Sequence, residues 1–176
     1  MIVLVCRSRA SGQVFVHSWH VDPDDTLALA ERTVDSLEEY VRNLVGASAS
    51  LKRSSYNEGR ISILTVAPLN PKARRQAVTG QQWLQVEAGE HGGRWELDYT
   101  DPDVERARDI IEAVIRGRVV ELMSLGRSEV SVTLATGEHV TETGYSSGLG
   151  WLPIPGWRAR ARTVSYEPYQ PNGPRG

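Results

Sequence analysis

Arg94-Trp95-Glu96-Leu97-Asp98-Tyr99-Thr100-Asp101-Pro102-Asp103-Val104 changes period partway along, and that change decides the fold. Trp95, Leu97 and Tyr99 alternate with Glu96 and Asp98, the pattern of a strand with one face on a core and one in water. Thr100-Asp101-Pro102-Asp103 then supplies what a helix start needs: a capping side chain, a proline in the first turn, and acids near the positive end of the dipole. Val104, Ala107, Ile111 and Val114 follow at helical spacing. The helix is expected to absorb Gly117, at an ordinary penalty of about 1 kcal/mol, and to run through Leu122 to Gly126; a stop at Gly117 is the alternative. Upstream, Trp83–Glu87 and Arg94–Tyr99 flank Gly92-Gly93 and read as a hairpin.

The same device stands earlier in the chain. Ile2–Arg7 and Val14–Trp19 flank Ser11-Gly12, and Asp22-Pro23-Asp24-Asp25 opens a second capped helix. Leu27, Ala30, Val34, Leu37, Val41 and Leu44 form its apolar stripe, and Gly46 is its stop. Strand-like runs follow both helices, Ile61–Val66 after the first and Val130–Leu134 after the second. Val130, Val132 and Leu134 alternate up to Ala135-Thr136-Gly137-Glu138, and His139–Thr143 returns as the other arm of a hairpin. The expected architecture is α+β, an antiparallel sheet with two helices on one face. It falls into two hairpin–helix–strand units, 1–67 and 81–144, whose resemblance suggests a pseudo-repeat. A basic linker, 68–80, carrying Lys72, Arg74 and Arg75, joins them. An apolar loop (145–157) and a final strand (158–167) complete one domain spanning 1–167, and the proline- and glycine-rich residues 168–176 read as a flexible tail.

Composition narrows the function. With 176 residues, 40% of them apolar, and a net charge of −2, the chain has enough core for one ordinary domain and is neither disordered nor collagenous. Its longest apolar run, Ile2-Val3-Leu4-Val5-Cys6, is far short of a membrane span and lacks the basic flank of a secretory signal, so the expected setting is cytoplasmic. Cys6 has no second cysteine to bridge. Charge is uneven: residues 47–80 carry six bases against one acid, and 81–150 carry 13 acids against six bases. Such bipolarity orients a charged partner.

Motifs for catalysis are weak. Gly144-Tyr145-Ser146-Ser147-Gly148 fits the nucleophile-elbow pattern, but no histidine lies downstream and the following Leu149-Gly150-Trp151-Leu152-Pro153 does not read as a helix. His17 and His20 point to opposite faces of a strand, and His91 and His139 fall in or beside hairpin turns, so no metal is expected. Glu96 and Asp98 share a strand face and could pair as acid and base, although acids opposite an aromatic face are ordinary for a half-solvated strand. No phosphate-cradling glycine motif is present, and no cofactor is expected. A net acidic chain argues against nucleic acid as partner.

The candidate binding residues lie near the C-terminus. Trp151 and Trp157 bracket a proline-stiffened apolar loop, Tyr145 precedes it, and Arg158, Arg160 and Arg162 are expected on one face of the final strand as a basic ridge. Tryptophan beside arginine is the composition of binding hot spots. The reading is a non-enzymatic domain that binds another protein, in one form an inhibitor or immunity-type partner of a toxin or enzyme. The alternative is a small-molecule binder or enzyme with a pocket between the sheet and residues 144–157, walled by Trp151, Trp157 and Tyr145, with Glu96, Asp98 or Arg160 as polar groups. An exposed Trp/Arg patch without a cavity favours the first; a closed pocket of about 300 Å³ or more lined by those residues favours the second.

Overall fold

The computed structural model describes residues 5–7, 14–16, 23–146, 150, 152 and 154–170, with backbone alone for 5–7, 14–16, 23 and 24. Strands β1 (Val5–Arg7) and β2 (Val14–Val16) pair antiparallel, Cys6 opposite Phe15, so the first expected hairpin stands over these residues. The flanks of that hairpin and the capping residue Asp22 lie outside the described residues. Helix α1 (Pro23–Val45) ends before Gly46, whose φ is +51°, and buries Ala30, Val34, Leu37 and Val41 of its stripe.

Two antiparallel sheets follow. Strands β3 (Ala49–Tyr56), β4 (Ile61–Pro68), β5 (Gln76–Gly80), β6 (Leu84–Glu87) and β7 (Arg94–Leu97) form a five-stranded sheet in sequence order. Helix α2 (Asp101–Ile115) leads into β8 (Val119–Ser124), β9 (Arg127–Thr133) and β10 (His139–Tyr145), and a short helix α3 (Trp157–Arg160) precedes β11 (Arg162–Ser165). These last four strands form the second sheet in the order β10-β9-β8-β11. The class is α+β with antiparallel sheets, as expected, but there are two large sheets in place of one. Each long helix is preceded by a hairpin and followed by a three-stranded antiparallel run, and the second hairpin, β6–β7, completes the first sheet.

Register places the core. Leu64, Val78, Val86 and Trp95 are successive cross-strand partners on one face of the first sheet, as are Gly80, Leu84 and Leu97. Helix α1 meets that face at Gly80, where a β-carbon would lie 2.6 Å from Val34 Cγ2. Helix α2 meets it at Gln76, whose Nε2 donates to the Ile111 carbonyl at 3.4 Å. On the second sheet, Val119, Val132 and Val140 share a face with Glu121, Val130 and Glu142. Val34, Leu37, Val41, Leu64, Val78, Val86, Ile110, Ile111, Val130 and Val132 are fully buried in one continuous core. Among the described residues no helix is long and apolar enough to cross a membrane.

Four expectations are corrected. Helix α2 stops at Ile115 instead of reaching Gly126. Arg118 N donates to Ala113 O at 2.9 Å and Gly117 N to Val114 O at 3.0 Å, the paired bonds of a left-handed glycine cap, and Gly117 has a φ of +71°. A side chain there would meet Pro168 N at 2.5 Å, so the cap also makes room for the returning C-terminal segment. The linker 68–80 contains β5, the middle strand of the first sheet, because a short Ala77-Val78-Thr79 run beside a cluster of arginines hides its alternation. The final strand begins at Arg162. Residues 157–160 turn helically behind Gly156, with Ala159 N on Gly156 O at 3.1 Å, so Arg158 and Arg160 do not extend a strand. Finally, the described part of the expected tail is fixed: Tyr169 is 1% exposed, its N–H donates to Ile115 O at 2.9 Å and its hydroxyl to Arg74 O at 2.7 Å.

Candidate functional site

Three of the six residues singled out from the sequence meet on the outer face of the second sheet, around a residue the sequence did not mark. Arg127 opens β9 opposite Tyr145 at the end of β10. Its guanidinium lies between two rings, 5.7 Å from the Tyr145 centroid and 5.4 Å from Trp157, and its Nη2 donates to the Leu152 carbonyl. Arg158 covers Trp157 at 5.0 Å and grips Glu129 through Nε at 2.9 and 3.0 Å. That bond, together with the hydroxyl of Thr143, holds the Glu129 carboxyl below the ordinary range. Cation–π contacts are worth on the order of 0.5–2 kcal/mol each, least for the exposed Arg158 and most for the buried Arg127, so this stack fastens the helical turn at Trp157–Arg160 to the sheet.

The expected ridge is not assembled. Trp157 is 9% exposed, a buried anchor and not a projecting one. Arg160 donates to Pro155 O at 2.8 Å, and Arg162 sits on β11 opposite Met123. Trp151 lies outside the described residues, as do His17, His20, Ser147 and Gly148. Ser146 is a bend residue whose N–H donates to Gly126 O at 2.9 Å. His139 is exposed, its Nδ1 3.1 Å from Thr133 Oγ1. Among the described residues no group of three or more His, Cys, Asp or Glu side chains could hold a metal ion.

A cavity does exist, but elsewhere than expected. An open cleft of about 740 Å³ lies where β7 and β10 diverge over α2, and of the residues proposed for a pocket it takes Glu96 and Tyr145 while leaving out Trp157, Asp98 and Arg160. One end is stapled shut. The loop between β6 and β7 crosses the second sheet there, with Gly92 N on Ser128 Oγ at 2.8 Å and His91 N on the same oxygen at 3.2 Å. Beside this staple, the fully buried carboxylate of Glu121 accepts from Glu90 N at 2.7 Å and from the Tyr166 hydroxyl at 2.6 Å. Burial and that bond push the Tyr166 hydroxyl up to about 12. Glu121 sits in a stretch whose apolar pattern predicts helix, and the strand β8 that buries it gives no separate signal in the sequence.

The charges around the cleft are sorted by pairing. Arg94 turns to Glu87 at 3.1 Å, and Arg106 makes two bonds to Glu138, at 2.6 and 2.7 Å. Neither glutamate lines the cleft. Glu96 on β7 and Glu142 on β10 have no hydrogen bond or ion pair among the described residues. Glu90, the third carboxylate of the lining, meets Arg74 at 3.6 Å, which leaves two uncompensated carboxylates on facing strands. No protein-family model, curated protein or solved structure matches this chain significantly.

Proposed function

We propose that this chain is a non-catalytic binding protein that recognises another protein through the β7–β10 cleft and its rim. The observation that carries the reading is the cleft itself: wide-mouthed, bordered by the unpaired edge strand β7, and stiffened at one rim by Tyr145 in the Arg127 stack. Open clefts with a rigid aromatic rim suit macromolecular partners better than enclosed small ligands. A nucleophile, base and orienting acid for acyl transfer are not gathered there, since the only imidazole in the described lining, His91, sits on an exposed loop. The reading includes a cytoplasmic setting, with which a single cysteine is compatible. An inhibitor or immunity-type partner of a toxin or enzyme is the form we favour, on size and mild acidity.

The test is affinity purification of the tagged chain from its native cell, beside the variants His91→Trp, which puts bulk into the cleft from an exposed position, and Glu39→Ala on the exposed face of α1. One stoichiometric companion should be recovered with the parent chain and with Glu39→Ala, and lost with His91→Trp at unchanged circular dichroism. A companion retained by His91→Trp, or none from the parent, refutes the proposal.

A further inference from the structure

We infer that the occupant of the cleft is an extended basic segment of the partner protein, laid along the free edge of β7 with a lysine or arginine side chain between Glu96 and Glu142; this rests on the binding reading above. Three observations converge on it. Ala88 N donates to Gly93 O at 2.9 Å, and alternation along the antiparallel pair from that bond turns the main-chain groups of Arg94 and Glu96 away from β6, toward the unpaired edge. An added strand would satisfy them, the usual mode of peptide addition to a sheet edge. Glu96 and Glu142 supply negative charge on the two walls, while Arg94 and Arg106, the arginines of the lining, are engaged by Glu87 and Glu138. Among the described residues a cationic side chain meets no competitor for these two carboxylates. Trp95 adds the third observation: it lines the cleft, is 6% exposed, and its buried indole N–H has no acceptor among the described residues. With the indole tipped toward an added strand, a peptide carbonyl can accept from it, which a bare ammonium or guanidinium ion cannot.

The probe is a fluorescein-labelled synthetic peptide alternating Arg and Val, followed by anisotropy, with its Glu-for-Arg counterpart and agmatine as comparisons. The basic peptide should bind, more weakly as salt rises. Glu96→Gln and Glu142→Gln should each weaken it about tenfold, the ordinary effect of removing one charged partner, with thermal midpoints unchanged. Methylating alternate peptide nitrogens should abolish binding. Absence of binding at millimolar peptide, equal binding of the acidic counterpart, or insensitivity to both Gln variants overturns the inference. Agmatine binding as tightly as the peptide overturns its main-chain part and leaves a site for a small cation. If the native companion is lost with His91→Trp but unaffected by both Gln variants and by salt, the cleft still binds protein and only the assignment of a basic segment falls.

Discussion

Replacing Gly144 by alanine gives a test whose sign is diagnostic. Gly144 lies within β10, and glycine inside a strand ordinarily costs about 0.5–1 kcal/mol relative to alanine. By propensity alone the variant should gain stability. Geometry says the opposite. A β-carbon at 144 would stand 1.7 Å from the His91 carbonyl oxygen and 2.4 Å from its carbon, both main chain, whereas ordinary contact begins at 3.4 Å. The loop carrying His91 and Gly92 must retreat by about 1.7 Å, which stretches the 2.8 Å bond from Gly92 N to Ser128 Oγ past hydrogen-bonding range. Overpacking of this kind costs about 1–3 kcal/mol, and each bond lost from Ser128 about 0.5–1.5 kcal/mol. After the propensity gain the net is a loss of about 2–4 kcal/mol, or roughly 5–15 °C in Tm for a chain of this size. Urea unfolding followed by circular dichroism measures it. Gly46→Ala is the control, since Gly46 has open space around it and only its φ of +51° to lose, a cost of about 1–2 kcal/mol. Ser128→Ala combined with Gly144→Ala should cost less than the two singly, because both act on the same loop. If Gly144→Ala is as stable as the parent or more so, the β6–β7 loop does not lie on β10 and the closed end of the cleft is wrongly built.

Other outcomes follow from the buried polar groups and the aromatic stack. Tyr166→Phe removes a donor from the fully buried Glu121 carboxylate and should cost about 1.5–3 kcal/mol, whereas Tyr56→Phe, at an exposed strand end, should cost nothing measurable by the same melts. Trp157→Ala should lose about 3–5 kcal/mol and raise proteolytic cleavage within 150–160, since Arg127 then has one ring in place of two. Glu129 is held below its ordinary value of 4.5 chiefly by the bond from Arg158, so this pair stabilises fully above that value and ceases to do so as pH falls through the lowered one. The stability gap between the parent and Arg158→Ala should therefore close in acid, and carboxyl NMR should show Glu129 titrating higher in the variant. At the alkaline end, burial pushes Tyr40, Tyr99 and Tyr166 up to about 12 from 10.0. The unfolded chain sheds these protons first, so stability present below pH 10 should fall as pH rises toward 12, in step with phenolate absorbance.

Where local chemistry decided a conformation, the sequence could be read directly. Thr100 caps α2 as its side chain announces, Oγ1 accepting from Asp103 N at 3.4 Å, and the arms of the β9–β10 hairpin alternate as Val130, Val132 and Leu134 require. The failures share a different cause. Ala49–Tyr56 carries only Leu51 as a large apolar residue on its inward side, opposite Val66, so it gives no strand signal; its pairing is decided by β4. Val119-Val120-Glu121-Leu122 is apolar enough for either helix or strand, and the choice falls to Gly117, whose positive φ is selected by the approach of Pro168 from far along the chain. The alternation of Arg158, Arg160 and Arg162 predicted a ridge because period two was assumed; one helical turn behind Gly156 breaks it. Trp157, Tyr145 and Arg158 meet in space, yet the sequence gives no sign of the cation beside their rings, Arg127, which reads as any strand-end arginine.

The cleft could not have been found in the sequence for a further reason, which bears on how it works. It exists because one helix serves two sheets: Gln76 of the first sheet bonds to Ile111, while Ile110, one residue away, lines the gap beside β10 of the second. Sheets tied at one end by Gly92 on Ser128 and spaced by a helix between them must diverge, and the outer edge of β7 is left without a hydrogen-bonded strand, with β10 close to it only at the tied end. Net charge gives no warning of the field inside. Counting residues sets Arg94 and Arg106 against Glu90, Glu96 and Glu142, one negative charge in excess, and Arg74 meets Glu90 at 3.6 Å; but Glu87 and Glu138 turn both lining arginines away from the two carboxylates they would have cancelled. Removing Glu138 should then free Arg106, bring it to bear on Glu142, and weaken a basic peptide even though the substituted residue never touches the cleft. Glu138→Gln measured by the same anisotropy titration tests that sorting: unchanged affinity would mean that the two carboxylates are not governed by where the arginines point.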